Sequence, residues 1–407
     1  MLPTPGARTR RKGWFLPMVA ILQRPVTERK SPIVSPTASF SMVPSNLAEL
    51  QANYGASCSK YEQLAEKKLA KSTTIVVSGC GCSLRVKNDA LVIFPGKTHA
   101  EQAQKIRILH RAVHGTRHIV LIADRGGVVS LEAIKWANEQ DIAITVLDGH
   151  GNIVQSLSTC HADAKLRRSQ YGAGDNGKAG KVSCDLVRRK VEAQLETLKK
   201  HPELPGQAEA IDILEQAVKW FHLPELPPRF HDVNWLRTFE GRCADAYFRA
   251  WQGLPVKWEK QAQKTIPPHW QIVTQRSSPL SHNHGAWKAV NPAQAILNYA
   301  YAILESQVRQ ALNATGFDVA AGFLHSDELG RDSLVFDLME VHRPAVDHKV
   351  LSLLSSTMLA KGDIMSSPTG EVRFNPQLAR YIAASCKLPQ SDIDESAKGL
   401  KGRLLAA

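Results

Sequence analysis

Between Gly322 and Asp347 the chain reads GFLHSDELGRDSLVFDLMEVHRPAVD. His325 ends a short apolar lead-in, and Asp337 and Glu340 follow, three residues apart. A helix over 333–341 sets both carboxylates on one face. An imidazole with two carboxylates is a hard-leaning donor set of the kind that holds Mg2+ or Mn2+ and leaves positions open for water and substrate. The pattern also fits a helix with two solvated acids beside an unrelated core histidine. A third acid bears on the choice. In LRTFEGRCADAYFRAW, Glu240 falls between Leu236 and Cys243/Tyr247 on one helical face. An acid inside an apolar stripe is costly unless it is paired or bound to a cation. A buried ion pair to an arginine accounts for it. So does a third ligand, carried on a separate helix and meeting the others as bundle-core metal sites do.

Other motifs fail on context. Gly172 to Lys178 spells GAGDNGK, the outline of a phosphate loop, but Ala179 stands where a Ser or Thr would hold magnesium and no hydrophobic strand precedes it. It reads as a basic loop. His110, His114 and His118 fall at fours but span Gly115 and run into a strand, so they share no helical face and read as solvated or substrate-facing. His282-Asn283-His284 is a local tripeptide, not a nuclease signature.

These side chains need a large scaffold, and 407 residues supply one, with two domains the natural division. Lys and Arg outnumber Asp and Glu by 51 to 38, giving +13 and a pI near 9.4. That excess argues for a polyanionic partner, nucleic acid first. Seven scattered cysteines without a CxxC pair suggest neither a zinc site nor a disulfide framework, and a reducing cytoplasm fits. No apolar run approaches bilayer length, so no membrane is expected. RTRRKGWFLPMVAIL superficially resembles a secretory leader, but its apolar part is short, holds Pro17 and is followed by QRPVTERK. Residues 1–72 read as a basic, Pro- and Ser-bearing extension, expected to be poorly ordered.

From Thr73, TTIVVSG and LRVKNDALVIFPG are β-branched runs with hairpin turn signals. EQAQKIRILHRAVHG is helix-compatible. HIVLIA, the turn DRGG, a helix SLEAIKWANEQ capped by Ser130, IAITVLD and the turn GHGNIV follow. Beyond Ser158 helical periods take over. Val187, Val191, Leu195 and Leu198 form one stripe, Ile211, Leu214, Val218 and Phe221 another, and Asp232 caps a helix running to Trp251. Asn291-Pro292 opens the longest helix, which stops at Gly316. The expected fold is α+β and multidomain: a small β-rich domain over 73–158, a larger all-helical catalytic domain over 159–390, and a tail over 391–407.

Four ordered segments, EGRCADAYFRAW, NPAQAILNYAYAILESQVRQAL, GFLH and SLVFDLMEVHRPAVD, resemble the signature of the CRISPR-associated adaptation integrases. Upstream, GCSLRVKNDALVIF, HIVLIADRGGVVSLEAIKWANEQDIAITVLDGHGNIVQSL and LRRSQYGA are similar to that family's β-domain and its entry into the helical domain. The likeness spans about 73–383. QRSSPLSHNHGAWKAVNP is not placed by the resemblance, and Arg242 and Asp245 fall where neighbouring family positions vary.

The resemblance implies a metal site of Glu240, His325 and Asp337 holding Mg2+ or Mn2+, with Glu340 as a second acid supporting it. It implies insertion of spacer DNA by attack of a 3′-hydroxyl on a phosphodiester, with nuclease activity on branched DNA. It also implies a homodimer joined through the β-domains and a small ferredoxin-like adaptation protein bridging two dimers. Arg188, Arg189, Lys190, Lys199 and Lys200, with Arg167 and Arg168, are the candidate contacts to double-stranded and branched DNA, salt-dependent and largely sequence-blind. A transposon-encoded or repair nuclease of the same fold, or a non-catalytic DNA-binding scaffold with its acids paired to arginines, are the alternatives.

Overall fold

The computed structural model describes residues 60–406 apart from 98–103, 112–113, 124–125, 275–288, 326 and 368–369. Expectations for 1–59, for the first half of the DRGG turn, and for His282-Asn283-His284 with its loop lie outside the described residues.

Order begins earlier than Thr73. Residues 60–69 form a helix, α1, that buries Tyr61, Ala65 and Leu69. These residues at i, i+4 and i+8 make a narrow apolar stripe, which the basic, Pro-bearing stretch before it outweighs in composition. Tyr61 donates to Asp363 Oδ2 at 2.8 Å, and Arg380 pairs with Glu62 at 2.6 Å.

Two four-stranded sheets follow. The first has the order β1-β5-β7-β8, from β1 (Thr74–Ser78), β5 (His118–Ile122), β7 (Ala143–Leu147) and β8 (Ile153–Leu157). Its first three strands run parallel. Parallel strands are covered on both faces and read as continuous apolar runs. Ile75, Val77, Ile119 and Leu121 therefore face the second sheet, whereas Val76, Val120 and Ile122 face the helical part. The second sheet has the order β4-β3-β2-β6, from β4 (Arg107–Leu109), β3 (Ala90–Phe94), β2 (Cys82–Lys87) and β6 (Gly127–Val129). The β2–β3 hairpin turns at Asn88 and Asp89, both at positive φ, as a type I′ turn requires. Helix α2 (Leu131–Glu139) is capped by Ser130, which accepts from Ala133 N. The helix-compatible stretch before His110 instead supplies β4, because pairing with β3 outweighs local propensity. His118 is neither solvated nor facing substrate. It is buried in β5 with Nε2 2.9 Å from Thr145 Oγ1, and burial pushes it down to about 4.

The remainder is helical: α3 (Ala164–Tyr171), α4 (Lys178–Lys199), α5 (Gln207–Phe221), α6 (Val233–Arg249), α7 (Lys260–Gln263), α8 (Pro292–Thr315), α9 (Ser333–Ser356), α10 (Pro376–Cys386) and α11 (Gln390–Leu405). A two-stranded ribbon, β9 (Ile364–Ser366) with β10 (Val372–Phe374), is inserted among the helices. The basic GAGDNGK loop leads into α4, and Lys178 Nζ donates to the carbonyls of Leu404 (3.2 Å) and Ala406 (2.6 Å). Helix α8 starts at the Asn291 cap and ends at Gly316, whose φ of +102° only glycine adopts readily. The expected tail is largely helix α11, which buries Ile393, Ala397, Leu400 and Leu404 along one face. Helix α9 is buried on nearly all sides, polar residues such as Asp337 and Glu340 included, packs against α4, α8 and α10, and so forms the centre of the helical part.

Candidate active site

Helices α4, α6 and α9 converge on one polar cluster, with the Gly322–His325 lead-in closing it. Asp337, on the first turns of α9, is completely buried. Its Oδ2 accepts from the backbone N–H of Phe323 (2.5 Å) and Leu324 (3.0 Å), and its Oδ1 from that of His325 (2.9 Å). Gly322 is required for this nest: a Cβ there would stand 2.8 Å from Ser333 Cβ and 3.0 Å from Asp337 Oδ2. His325 Nδ1 lies 2.6 Å from Asp337 Oδ1. A carboxylate oxygen accepts, so the imidazole donates through Nδ1 in this contact and Nε2 is the ring nitrogen left for another partner. Asp337 thus has both oxygens committed to holding the turn and orienting the imidazole.

The other two acids meet elsewhere. Glu240 Oε1 and Glu340 Oε2 both lie against Nζ of Lys190, a buried side chain of α4. Arg343 NH1 holds Glu340 Oε1 at 2.7 Å and its guanidinium lies over the Tyr301 ring. Burial would raise Glu340, but the charges of Arg343, Lys190 and then His325 overcome it and hold the carboxyl well below its ordinary range. For Lys190, burial works against the charge, and Glu240 and Glu340 overcome that and raise its pKa. One turn beyond Arg343, burial pushes Asp347 up to about 7, and Tyr301 donates to its Oδ1 at 2.5 Å.

Among the described residues no three His, Cys, Asp or Glu side chains are gathered as an ion-holding set. The donors nevertheless suit a hard divalent cation. Two carboxylates converge on one positive charge, Glu340 Oε2 is buried with the Lys190 ammonium beside it, and the His325 ring is near enough to Glu340 to act on its charge. The sequence ranks Asp337 ahead of Glu340 as a ligand. The hydrogen bonding favours the reverse order, because Asp337 has no oxygen to spare. The ion pair anticipated for Glu240 is present, to a lysine rather than an arginine.

The candidate DNA contacts do not form one surface. Successive helical residues point about 100° apart, so the Arg-Arg-Lys run spreads round α4. Lys190 turns into the cluster and is removed from the list of phosphate contacts. Arg188 pairs with Asp185 (2.7 Å) and Glu192 (2.9 Å), and Arg189 is half-buried with NH2 3.5 Å from Ser396 Oγ. Arg167 donates to the carbonyls of Gly316 (3.3 Å) and Phe317 (3.2 Å), tying α3 to the end of α8. Lys199 is paired with Glu215 at 3.1 Å. Arg168 and Lys200 are exposed. Sequence reasoning missed Arg343 and the role of Lys190. The available signal was Lys190 standing beside Val187 and Val191 in an apolar stripe, as Glu240 does in its own.

The family model described as CRISPR associated protein Cas1 matches residues 75–387. A CRISPR-associated endonuclease Cas1 of Archaeoglobus fulgidus is 27% identical over 297 residues, covering 71% of this chain and 80% of its own. A casposase bound to integration product superposes with a TM-score of 0.62 at 20% identity, covering 81% of this chain and 90% of the other. A chain of a Cas6-RT-Cas1–Cas2 complex gives a TM-score of 0.59 at 16% identity, over 81% of this chain and 34% of that one.

Proposed function

This chain belongs to the Cas1 family of CRISPR-associated proteins, and from that premise we propose that it is a metal-dependent DNA integrase and endonuclease. Glu240, His325 and Glu340 are the donors for Mg2+ or Mn2+, and Asp337 holds the His325 ring through Nδ1, which leaves Nε2 as its donor atom. Lewis-acid polarisation of a phosphoryl oxygen is the chemistry such an ion supplies when bound. The chain's own contribution is orientation. The Asp337 nest fixes the lead-in and the tautomer of His325, Arg343 holds one oxygen of Glu340, and helix packing brings Glu240 across from α6. A DNA 3′-hydroxyl attacking a phosphodiester gives insertion of a spacer into a CRISPR array. Water in its place gives cleavage, including that of branched DNA. The observation that carries this reading is the convergence of Glu240 and Glu340 on a single cationic centre, inside a family whose relatives are named endonucleases.

The β-rich part over 73–158 serves as the dimerisation unit in this reading. Ile106, Ile108, Val128 and Val154 on its edge strands and their approaches are exposed apolar side chains, which supports a homodimer there. A small ferredoxin-like adaptation protein is the second partner, a reading supported by the fold likeness to a chain of a Cas6-RT-Cas1–Cas2 complex. Arg168 and Lys200 remain the exposed candidates for phosphate contacts. No helix among the described residues is long and apolar enough to cross a membrane.

The test is an integration assay with the partner protein, run with Mn2+ and with chelator. Chelator should abolish strand transfer. Glu240→Ala, His325→Ala and Glu340→Ala should each lower it by at least about a thousandfold while duplex binding persists, and full integration by the His325 variant would sink the assignment. One observation favours a second reading, a non-catalytic DNA-binding scaffold: both glutamates are already paired, with Lys190 and, for Glu340, with Arg343 as well. No Mn2+-dependent rise in melting temperature and no plasmid nicking would decide for the scaffold.

A further inference from the structure

Lys190 presents a problem that the proposed chemistry does not solve. A buried ammonium between two carboxylates loses hydration that apolar packing would not cost, so such a cluster is poor evidence of stabilisation for its own sake. Arg343 already neutralises one of the two acids. With Lys190 included, two carboxylates face two cations and the cluster is balanced. A divalent ion arriving between Glu240 and Glu340 would leave two surplus positive charges in a buried place. The surplus is relieved only if Lys190 withdraws or if further negative charge arrives. A lysine suits the first course, being a point charge on a flexible four-carbon stem, where a guanidinium fork would be held in place. A DNA phosphate supplies the second.

We propose that Lys190 is a resident counter-cation that holds Glu240 and Glu340 in place in the ion-free protein and makes divalent-cation binding conditional on the charge of a DNA phosphate. This inference rests on Glu240 and Glu340 being the cation's donors. Lys190 is then a positioning residue: it holds the two like-charged donors about one point and guards a nuclease against loading without substrate. The charge balance, not the composition of the donor set, decides when the ion binds.

The test measures Mn2+ affinity of the full chain without DNA, by calorimetry and by the rise in melting temperature. Wild type is expected to bind weakly and to gain affinity when a short duplex is added. Lys190→Met should bind Mn2+ at least about tenfold more tightly than wild type without DNA, since a buried charge beside the ion is removed, and the gain on adding duplex should shrink. This variant leaves two acids uncompensated, so it should melt lower without the ion and gain more from Mn2+ than wild type does. A variant that folds only with Mn2+ is the same result in its extreme form. Lys190→Arg keeps the charge and should bind Mn2+ as weakly as wild type. Equal affinity of wild type and Lys190→Met overturns the inference and leaves the donor assignment standing. Mn2+ binding to neither protein, with or without duplex, overturns the donor assignment and the inference with it.

Discussion

Arg380 and Lys190 each stand buried against two glutamates, one at the seam between helix α1 and the first sheet, the other among α4, α6 and α9. Arg380 gives NH1 to Glu62 at 2.6 Å, NH2 to Glu66 at 2.7 Å and Nε to the Val76 carbonyl at 2.6 Å. Each donor of the planar fork has its own acceptor, and three elements are tied at once. Lys190 has a single ammonium for two carboxylates, with no second directed donor to divide between them. Equal stoichiometry therefore gives different devices. A guanidinium whose donors are divided among three acceptors is a staple, whereas an ammonium at the focus of two acids is, on the proposal above, a counter-cation that another cation can replace.

Stability separates the two most sharply. Arg380→Met should destabilise the protein by about 3–5 kcal/mol, the usual cost of stranding buried partners, and Mn2+ should restore none of it in a melting experiment. Rescue of that variant by Mn2+ to the extent expected of Lys190→Met would erase the distinction between staple and exchangeable site.

The second difference appears with pH. Behind the Lys190 cluster, burial pushes Asp347 up to about 7, against the pull of the Tyr301 hydrogen bond and the Arg343 charge. A folded-state pKa raised above that of the unfolded chain means the stabilisation is complete below the ordinary aspartate range. It is lost as pH rises through 7. Asp347→Asn should accordingly flatten the stability–pH curve between about pH 4 and 7, by at most about 4 kcal/mol, as read from melting curves across that window. An unchanged slope would show that Asp347 is not the titrating group.

The smallest effect concerns orientation. Asp337→Asn keeps a side chain of the same shape but presents an amide to the lead-in and His325. Strand transfer should fall by about 10–100-fold, less than for Glu340→Ala. A larger loss for Asp337→Asn than for Glu340→Ala would restore the ligand order that the sequence suggests.

Much of the scaffold was legible in one dimension because local signals agreed with the final packing. Ser130, Asp232 and Asn291 cap the helices expected of them, and Gly316 ends α8. Where local and global preferences part, the sequence misleads. Residues 107–109 lie in a stretch whose local pattern is compatible with helix but complete a sheet edge, and α1 and α11 have stripes too narrow to stand out from polar surroundings. For the site, the residue types and their order along the chain pointed to Glu240, His325 and the Asp337/Glu340 pair.

Spacing by three fixes only that Asp337 and Glu340 share a side of one helix. Which of them is sealed and which is available depends on what each meets. The tertiary structure decided it: the GFLH backbone folds over Asp337 and consumes its oxygens, while α4 brings Lys190 to Glu340 from 150 positions upstream. A run of Arg188, Arg189 and Lys190 likewise reads as one basic face until the helical turn sends its third member inward. Sequence singled out the candidate donors because chemistry follows from residue type. Their roles follow from contacts, which exist only once the helices are packed.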